Sequence, residues 1–199
     1  MIKFQENNNA DPYKMFRKLY KSARDKGQKN IEAICISSYD ANLKEVQARF
    51  VNLKYVKNEE WIFFTNYNSP KAKSFKSCKQ IAANFFWAST YTQVRIKAYI
   101  KKTDCDFSDT HFNARSIQKN ALAVSSDQSQ KIESYSEVKS KYLKTLNNAN
   151  EVLNRPEYWG GFSFKPFYFE FWHGNDERIN ERTVFEHNKQ EWIKYILQP

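Results

Sequence analysis

Glycine is scarce: only Gly27, Gly160, Gly161 and Gly174 occur in 199 residues. No G-x-G-x-x-G turn and no G-x-x-x-x-G-K-[ST] loop can be drawn through them, which excludes glycine-cradled dinucleotide and nucleoside triphosphate sites. Cysteine is equally sparse. Cys35, Cys78 and Cys105 are odd in number and far apart, so they read as small buried or half-buried thiols of a reducing compartment. With only His111, His173 and His187 beside them, no C-x-x-C, H-x-E or H-E-x-x-H pattern exists, and no metal site is expected. No run approaches the roughly 18 apolar residues of a membrane helix. The first residues, MIKFQENNNADPYK, lack the apolar core of a signal peptide. The expectation is a cytoplasmic protein without a membrane partner.

What is abundant is positive charge and aromatic surface. Lys and Arg number 32 against 22 for Asp and Glu, a formal charge of +10, and aromatics make up 17% of the chain. Such a surplus suits an anionic partner, whether nucleic acid, membrane surface or a phosphorylated small molecule. The basic residues are scattered, however. Lys14, Arg17, Lys18, Lys21, Arg24, Lys26 and Lys29 fall on a helix-like stretch and read as its solvated face, so no nucleic acid is expected. The length suits one domain over residues 1–199, with 1–10 as a flexible arm.

Periodicity then orders the chain. Residues 10–26 place Met15, Leu19 and Ala23 four apart with Phe16 and Tyr20 beside them, predicting an amphipathic helix ended by Gly27. Runs at 31–37, 45–56, 60–66 and 81–88 are β-branched or aromatic and bounded by turn residues, as strands are. Between the last two, Ser69 and Pro70 read as the N-cap and first residue of a short helix. Val94, Ile96, Ala98 and Ile100 alternate with polar residues, a strand with one wet face. Helical signal returns at 107–123 and at 136–150, the second capped by Ser134 or Ser136. Strand pattern resumes at 160–172, and two further strands close the chain. The economical architecture is mainly β with peripheral helices, an antiparallel barrel.

Two features bear on chemistry. The helix start at Ser69-Pro70-Lys71 offers free backbone N–H groups with a lysine beside them, a competent anion site, although most such starts bind nothing. Arg49 and Lys54 lie in an otherwise mostly apolar run, where snorkelling at a strand edge is the plainer account. Their opposite strand parity fits two different anions better than one.

The order of blocks is more specific than any of them alone. RFVNLK (49–54), FFTNYNSPK (63–71), TQVRI (92–96), FNARS (112–116), QS (128–129), WGGF (159–162) and EFWHGNDERINER (170–182) together resemble the pyridoxamine 5′-phosphate oxidase family, from Asp11 to Pro199. The resemblance implies an FMN-binding split β-barrel of antiparallel Greek-key type, working as a homodimer in which both subunits contribute to each of two sites. By motif, Arg49 and Lys71 would contact the FMN phosphate, with Gln128 and Ser129 arriving from a loop. Phe50, Val51, Asn52, Leu53 and Lys54, with Phe64 and Thr65, would line the flavin, and Gln93, Trp172 and Arg182 would hold its ring system. Lys54, His111, Arg115 and Lys119 would grip the substrate's 5′-phosphate. Arg178, Ile179 and Asn180 would face the pyridine ring, Arg178 and Asn180 as the catalytic pair, while Trp159 is left as packing.

The implied reaction is oxidation of pyridoxamine or pyridoxine 5′-phosphate at C4′ to pyridoxal 5′-phosphate, with O2 as acceptor and H2O2 as product. Four positions depart from the family pattern: Pro70 stands for an arginine, His111 for a tyrosine, Lys119 for a serine and Asn180 for a histidine. They leave two alternatives in view. One is a split-barrel flavoprotein with a different substrate, the other a non-catalytic protein that binds FMN or pyridoxal phosphate.

Overall fold

The computed structural model describes residues 1–148 and 152–199; the end of the helix expected over 136–150 lies outside them. Among the described residues the chain forms ten strands and five α-helices. They run β1 (Lys3–Gln5), α1 (Asp11–Asp25), β2 (Ala33–Asp40), β3 (Glu45–Asn52), β4 (Tyr55–Lys57), β5 (Glu60–Asn66) and α2 (Pro70–Ser77). After these come β6 (Gln80–Trp87), β7 (Thr92–Lys102), α3 (Cys105–Asn113), α4 (Ile117–Ser125), α5 (Tyr135–Asn147), β8 (Trp159–His173), β9 (Glu181–His187) and β10 (Trp192–Ile196).

Helix α1 starts at Asp11 with Pro12 in its first turn, where a missing N–H costs nothing, and ends before Gly27 at φ +73°. Its buried face is Tyr13, Phe16, Tyr20 and Ala23. Met15 and Leu19 are partly buried and pack against the core beside it, so the aromatic ridge is the more deeply buried of the two. At α2, Ser69 is the cap residue in extended conformation, yet its hydroxyl bonds back to Asn66 O at 2.7 Å instead of capping the helix. At α5 the cap is Ser134, whose Oγ accepts from the Glu137 N–H at 3.2 Å. The helix expected over 107–123 is two helices, α3 and α4, with Ser116 standing at the head of the second.

The strands follow the order β1-β4-β5-β8-β7-β6-β2-β3, and β9 and β10 extend from β8. Strand β8 is the spine: its first half pairs with β5, its second half with β9, and nearly all of it with β7. Every pairing is antiparallel except β1 with β4, which is parallel, so the sheet is mixed. Its far edge, β3, curls round until Arg49 and the β5 residues Phe64 and Thr65 line one cavity.

The interior is aromatic. Trp61, Trp87, Phe16, Phe63, Phe85, Phe164 and Phe169 are fully buried, with the Phe16 and Trp61 rings 4.4 Å apart. Each such side chain removes on the order of 150–250 Å² from water, so few residues supply a large share of the driving force. The N-terminal segment is docked and not a free arm. Residues Lys3–Gln5 pair with Tyr55–Lys57, Ile2 is buried, and its N–H donates to Tyr20 Oη at 3.0 Å.

Candidate active site

A cavity of about 1160 Å³ opens where β3, the head of α2, α3, α4 and the 126–129 loop converge. Its lining includes Arg49, Phe50, Val51, Asn52, Lys54, Phe64, Thr65, Lys71, His111, Arg115, Lys119, Gln128 and Ser129. Strand period puts Gln47, Arg49 and Val51 on one face of β3 and Phe50 on the other, where it is 73% exposed. Leu53, expected here, is fully buried in the core, and its N–H is spent on Glu32 O at 2.9 Å. The parity separating Arg49 from Lys54 also fails. Strand β3 ends at Asn52, so no period runs through to Lys54, and both cations face the same cavity.

The cations form two groups. Lys71 is 6% exposed and its ammonium donates to Thr65 Oγ1 at 3.1 Å and Ser69 Oγ at 3.2 Å. Burial first, then the positive Arg49 nearby, lowers its pKa to about 8. Arg49 is anchored by Ser38 Oγ at 2.9 Å and by Gln47 Oε1 at 3.0 Å. Gln128 closes this end, its Oε1 accepting from the Thr65 hydroxyl at 2.9 Å and the Asn66 N–H at 3.2 Å.

At the other end, Arg115 and Lys119 lie close enough to add to burial in lowering the pKa of both Lys54 and His111. The Arg115 guanidinium sits 4.4 Å from the Trp159 ring, a cation–π contact, and its Nη1 is buried without a hydrogen-bond partner among the described residues. Burial lowers its pKa to about 10. The His111 ring stacks on Phe64 at 3.6 Å and 7°, and Nδ1 lies 2.9 Å from Tyr55 Oη, leaving Nε2 to meet a ligand. Burial, with Arg115, Lys54, Lys3 and Lys119 around it, lowers its pKa to about 4. One carboxylate, Glu32, borders the cavity, and it also holds the N-terminal amine at 3.2 Å.

These features suit phosphate groups. A buried ammonium held only by hydroxyls and a buried guanidinium N–H without a partner are both short of negative charge. The fit with a flavin mononucleotide and a phosphorylated substrate therefore rests on the chemistry of the donors present.

The other expected residues stand elsewhere. Gln93, Trp172 and Arg182 are cross-strand neighbours in one row over β7, β8 and β9, and none of them lines the cavity. Arg178 and Ile179 are exposed on the loop after β8, Arg178 in a left-handed conformation at φ +63°. Asn180 accepts the Asn175 N–H at 3.1 Å and so ties that loop. Trp159, expected as packing alone, lines the cavity under Arg115. Tyr55, the partner of His111, carries no functional signal in the sequence: it sits in the run at 45–56, whose break into β3 and β4 nothing announces.

Residues 159–199 match the family model described as the pyridoxine 5′-phosphate oxidase C-terminal dimerisation region. The pyridoxine/pyridoxamine 5′-phosphate oxidase of Leptospira biflexa is 32% identical over 98% of this chain and 92% of its own length. That of Cytophaga hutchinsonii is 35% identical over 88% of this chain and 82% of its own. Among solved structures, PhzG from Burkholderia lata, in complex with tetrahydrophenazine-1-carboxylic acid, superposes with a TM-score of 0.89 at 19% identity. It covers 96% of this chain and 93% of its own. A pyridoxamine 5′-phosphate oxidase-related, FMN-binding protein from Nostoc punctiforme gives 0.77 at 10%, over 96% and 99%. The last two show the fold, a split barrel.

Proposed function

This chain belongs to the pyridoxine/pyridoxamine 5′-phosphate oxidase family, and from that premise we propose that it is an FMN-dependent oxidase making pyridoxal 5′-phosphate. Pyridoxamine 5′-phosphate, O2 and water would give pyridoxal 5′-phosphate, ammonia and H2O2; pyridoxine 5′-phosphate and O2 would give the aldehyde and H2O2.

The observation that carries the reading is the charge of the cavity. Two cations, Arg49 and Lys71, stand at one end and three, Lys54, Arg115 and Lys119, at the other, against one carboxylate among the described residues, Glu32. A phosphomonoester carries about −1.5 to −2 at pH 7. Five cations suit two such groups and exceed what one needs. A substrate bearing a single carboxylate, like the ligand in the Burkholderia structure, would leave the second group in excess, which favours a phosphorylated substrate over the alternative of a different one.

Arg49, Lys71, Thr65, Gln128 and Ser129 would hold the FMN phosphate. Lys54, Arg115, Lys119 and His111 would hold the substrate phosphate, with Phe64 and Trp159 walling the space between. FMN, when bound, supplies the hydride acceptor and the reaction with oxygen. The chain's residues bind and orient, and no side-chain nucleophile is required. Arg178 and Asn180 lie outside the cavity of their own chain, as do Trp172 and Arg182. The dimerisation region carries all four, so in a two-fold dimer the row of one protomer would complete the cavity of its partner.

Apo-protein titrated with FMN and then supplied with each B6 phosphate in air tests the proposal. Accumulation of pyridoxal 5′-phosphate with matching H2O2 is expected. Flavin-loaded protein inactive on both substrates at every pH would refute it.

A further inference from the structure

Glu170 is a glutamate in the most apolar stretch of the chain, F-Y-F-E-F-W on β8, and it is 2% exposed. A buried carboxylate is costly to desolvate and needs its acceptor sites filled. Here four donors converge on it. The Arg182 guanidinium gives two, from Nε at 3.0 Å and Nη2 at 2.8 Å, both to Oε1. Arg95 Nη1 and the Tyr168 hydroxyl give one each to Oε2, at 2.7 and 3.0 Å. The geometry follows from register: Arg95 pairs directly with Glu170, and Arg182 pairs with Trp172, two residues along the same face.

Burial opposes ionisation, yet the bonds from Arg182 and Tyr168 and the charge of Arg95 outweigh it, so the carboxylate stays below its ordinary pKa. The same contact, after burial, pushes Tyr168 up to about 12. Well-packed apolar residues in place of a buried ion cluster often leave stability unchanged or raise it, so stability alone is weak ground for keeping one. What the ions add is a fixed guanidinium. Of the five N–H groups of Arg182, two go to Glu170 and one to Gln198 O at 2.9 Å. Two are left for a ligand, at the end of the row that runs from Gln93 through Trp172 to Arg182.

We propose that Glu170 is a positioning residue for flavin binding: its carboxylate locks Arg182 so that the two remaining N–H groups meet the flavin. The inference rests on the FMN reading above. Its test is FMN titration of apo-protein, followed by flavin fluorescence, in wild type, Glu170→Gln, Arg182→Gln and the double variant.

Glu170→Gln keeps the shape but turns an NH2 toward donors. FMN affinity should fall at least about tenfold, and the double variant should bind no more weakly than the worse single, because both changes disable one device. At saturating FMN, KM for pyridoxamine 5′-phosphate should stay within about twofold of wild type, since Lys54 and Arg115 are untouched; a general structural loss would weaken both ligands and add to Arg182→Gln. Should Glu170→Gln fail to fold, Glu170→Asp retracts the carboxylate by one methylene with the charge kept, and a several-fold loss of FMN affinity is expected. Affinity within twofold of wild type in the folded variant, or additive losses in the double, overturns the proposal while the FMN reading stands. Wild type that binds no FMN overturns both.

Discussion

Replacing His111 by Phe should change how the protein responds to acid. The imidazole is stacked on Phe64, bonded to Tyr55 and surrounded by Arg115, Lys54, Lys3 and Lys119, and burial with these charges lowers its pKa from 6.5 to about 4. In the unfolded chain it regains the ordinary value. The folded pKa is the lower of the two, so the unfolded state binds the proton first as pH falls. The contribution of His111 to stability is therefore complete above 6.5 and is lost as pH drops toward 4. At about 1.4 kcal/mol per pH unit, the loss reaches about 2 kcal/mol at pH 5 and about 3 kcal/mol at pH 4. Phe keeps the stack and cannot titrate.

Urea unfolding of apo wild type and His111→Phe, at pH 7 and pH 5 and one protomer concentration, measures the difference. Wild type should lose about 2 kcal/mol more than the variant between the two pH values. A phosphomonoester bound beside the ring should shrink that gap, because its charge offsets the cations. Equal losses, within about 0.5 kcal/mol, would refute the argument that the cavity holds this histidine neutral.

Two further substitutions separate the ends of the cavity. Arg115→Ala removes a charged donor at the three-cation end and should raise KM for pyridoxamine 5′-phosphate about 10- to 100-fold, with the FMN dissociation constant nearly unchanged; a matching loss of FMN would reassign the residue. Pro70→Arg adds a guanidinium at the head of α2, on the cavity lining, and should tighten FMN severalfold at low salt; unchanged affinity would mean that Arg49 and Lys71 already satisfy the phosphate.

Much of the fold was legible because strands announce themselves by period two. Strand β5 occupies the same residues, 60–66, that its pattern predicts. Strand β1 was not, since three residues show no period and its partner, β4, is distant in sequence. The break between α3 and α4 lacks Gly and Pro; Ser116 was the available cue. Within the site, the ordered blocks identified the cations, but parity misjudged Lys54 because the strand stops before it. Trp159 looked like core because a lone tryptophan on an alternating strand usually is. Glu170 carried no reading of its own in the sequence, and the register shows it sealed between Arg95 and Arg182.

The central claim is that the cavity of one chain and the row of another make one oxidase site, and mixed dimers test it most directly. Arg115→Ala disables a cavity residue, and Arg178→Ala a loop residue of the dimerisation region. With pyridoxamine 5′-phosphate held below the wild-type KM, each variant alone should be nearly inactive while retaining FMN. Dissociated and reassembled in equal amounts, half of the dimers are mixed, and each mixed dimer holds one intact site, so about one quarter of wild-type activity should return. Activity no greater than the mean of the two parents would contradict the account.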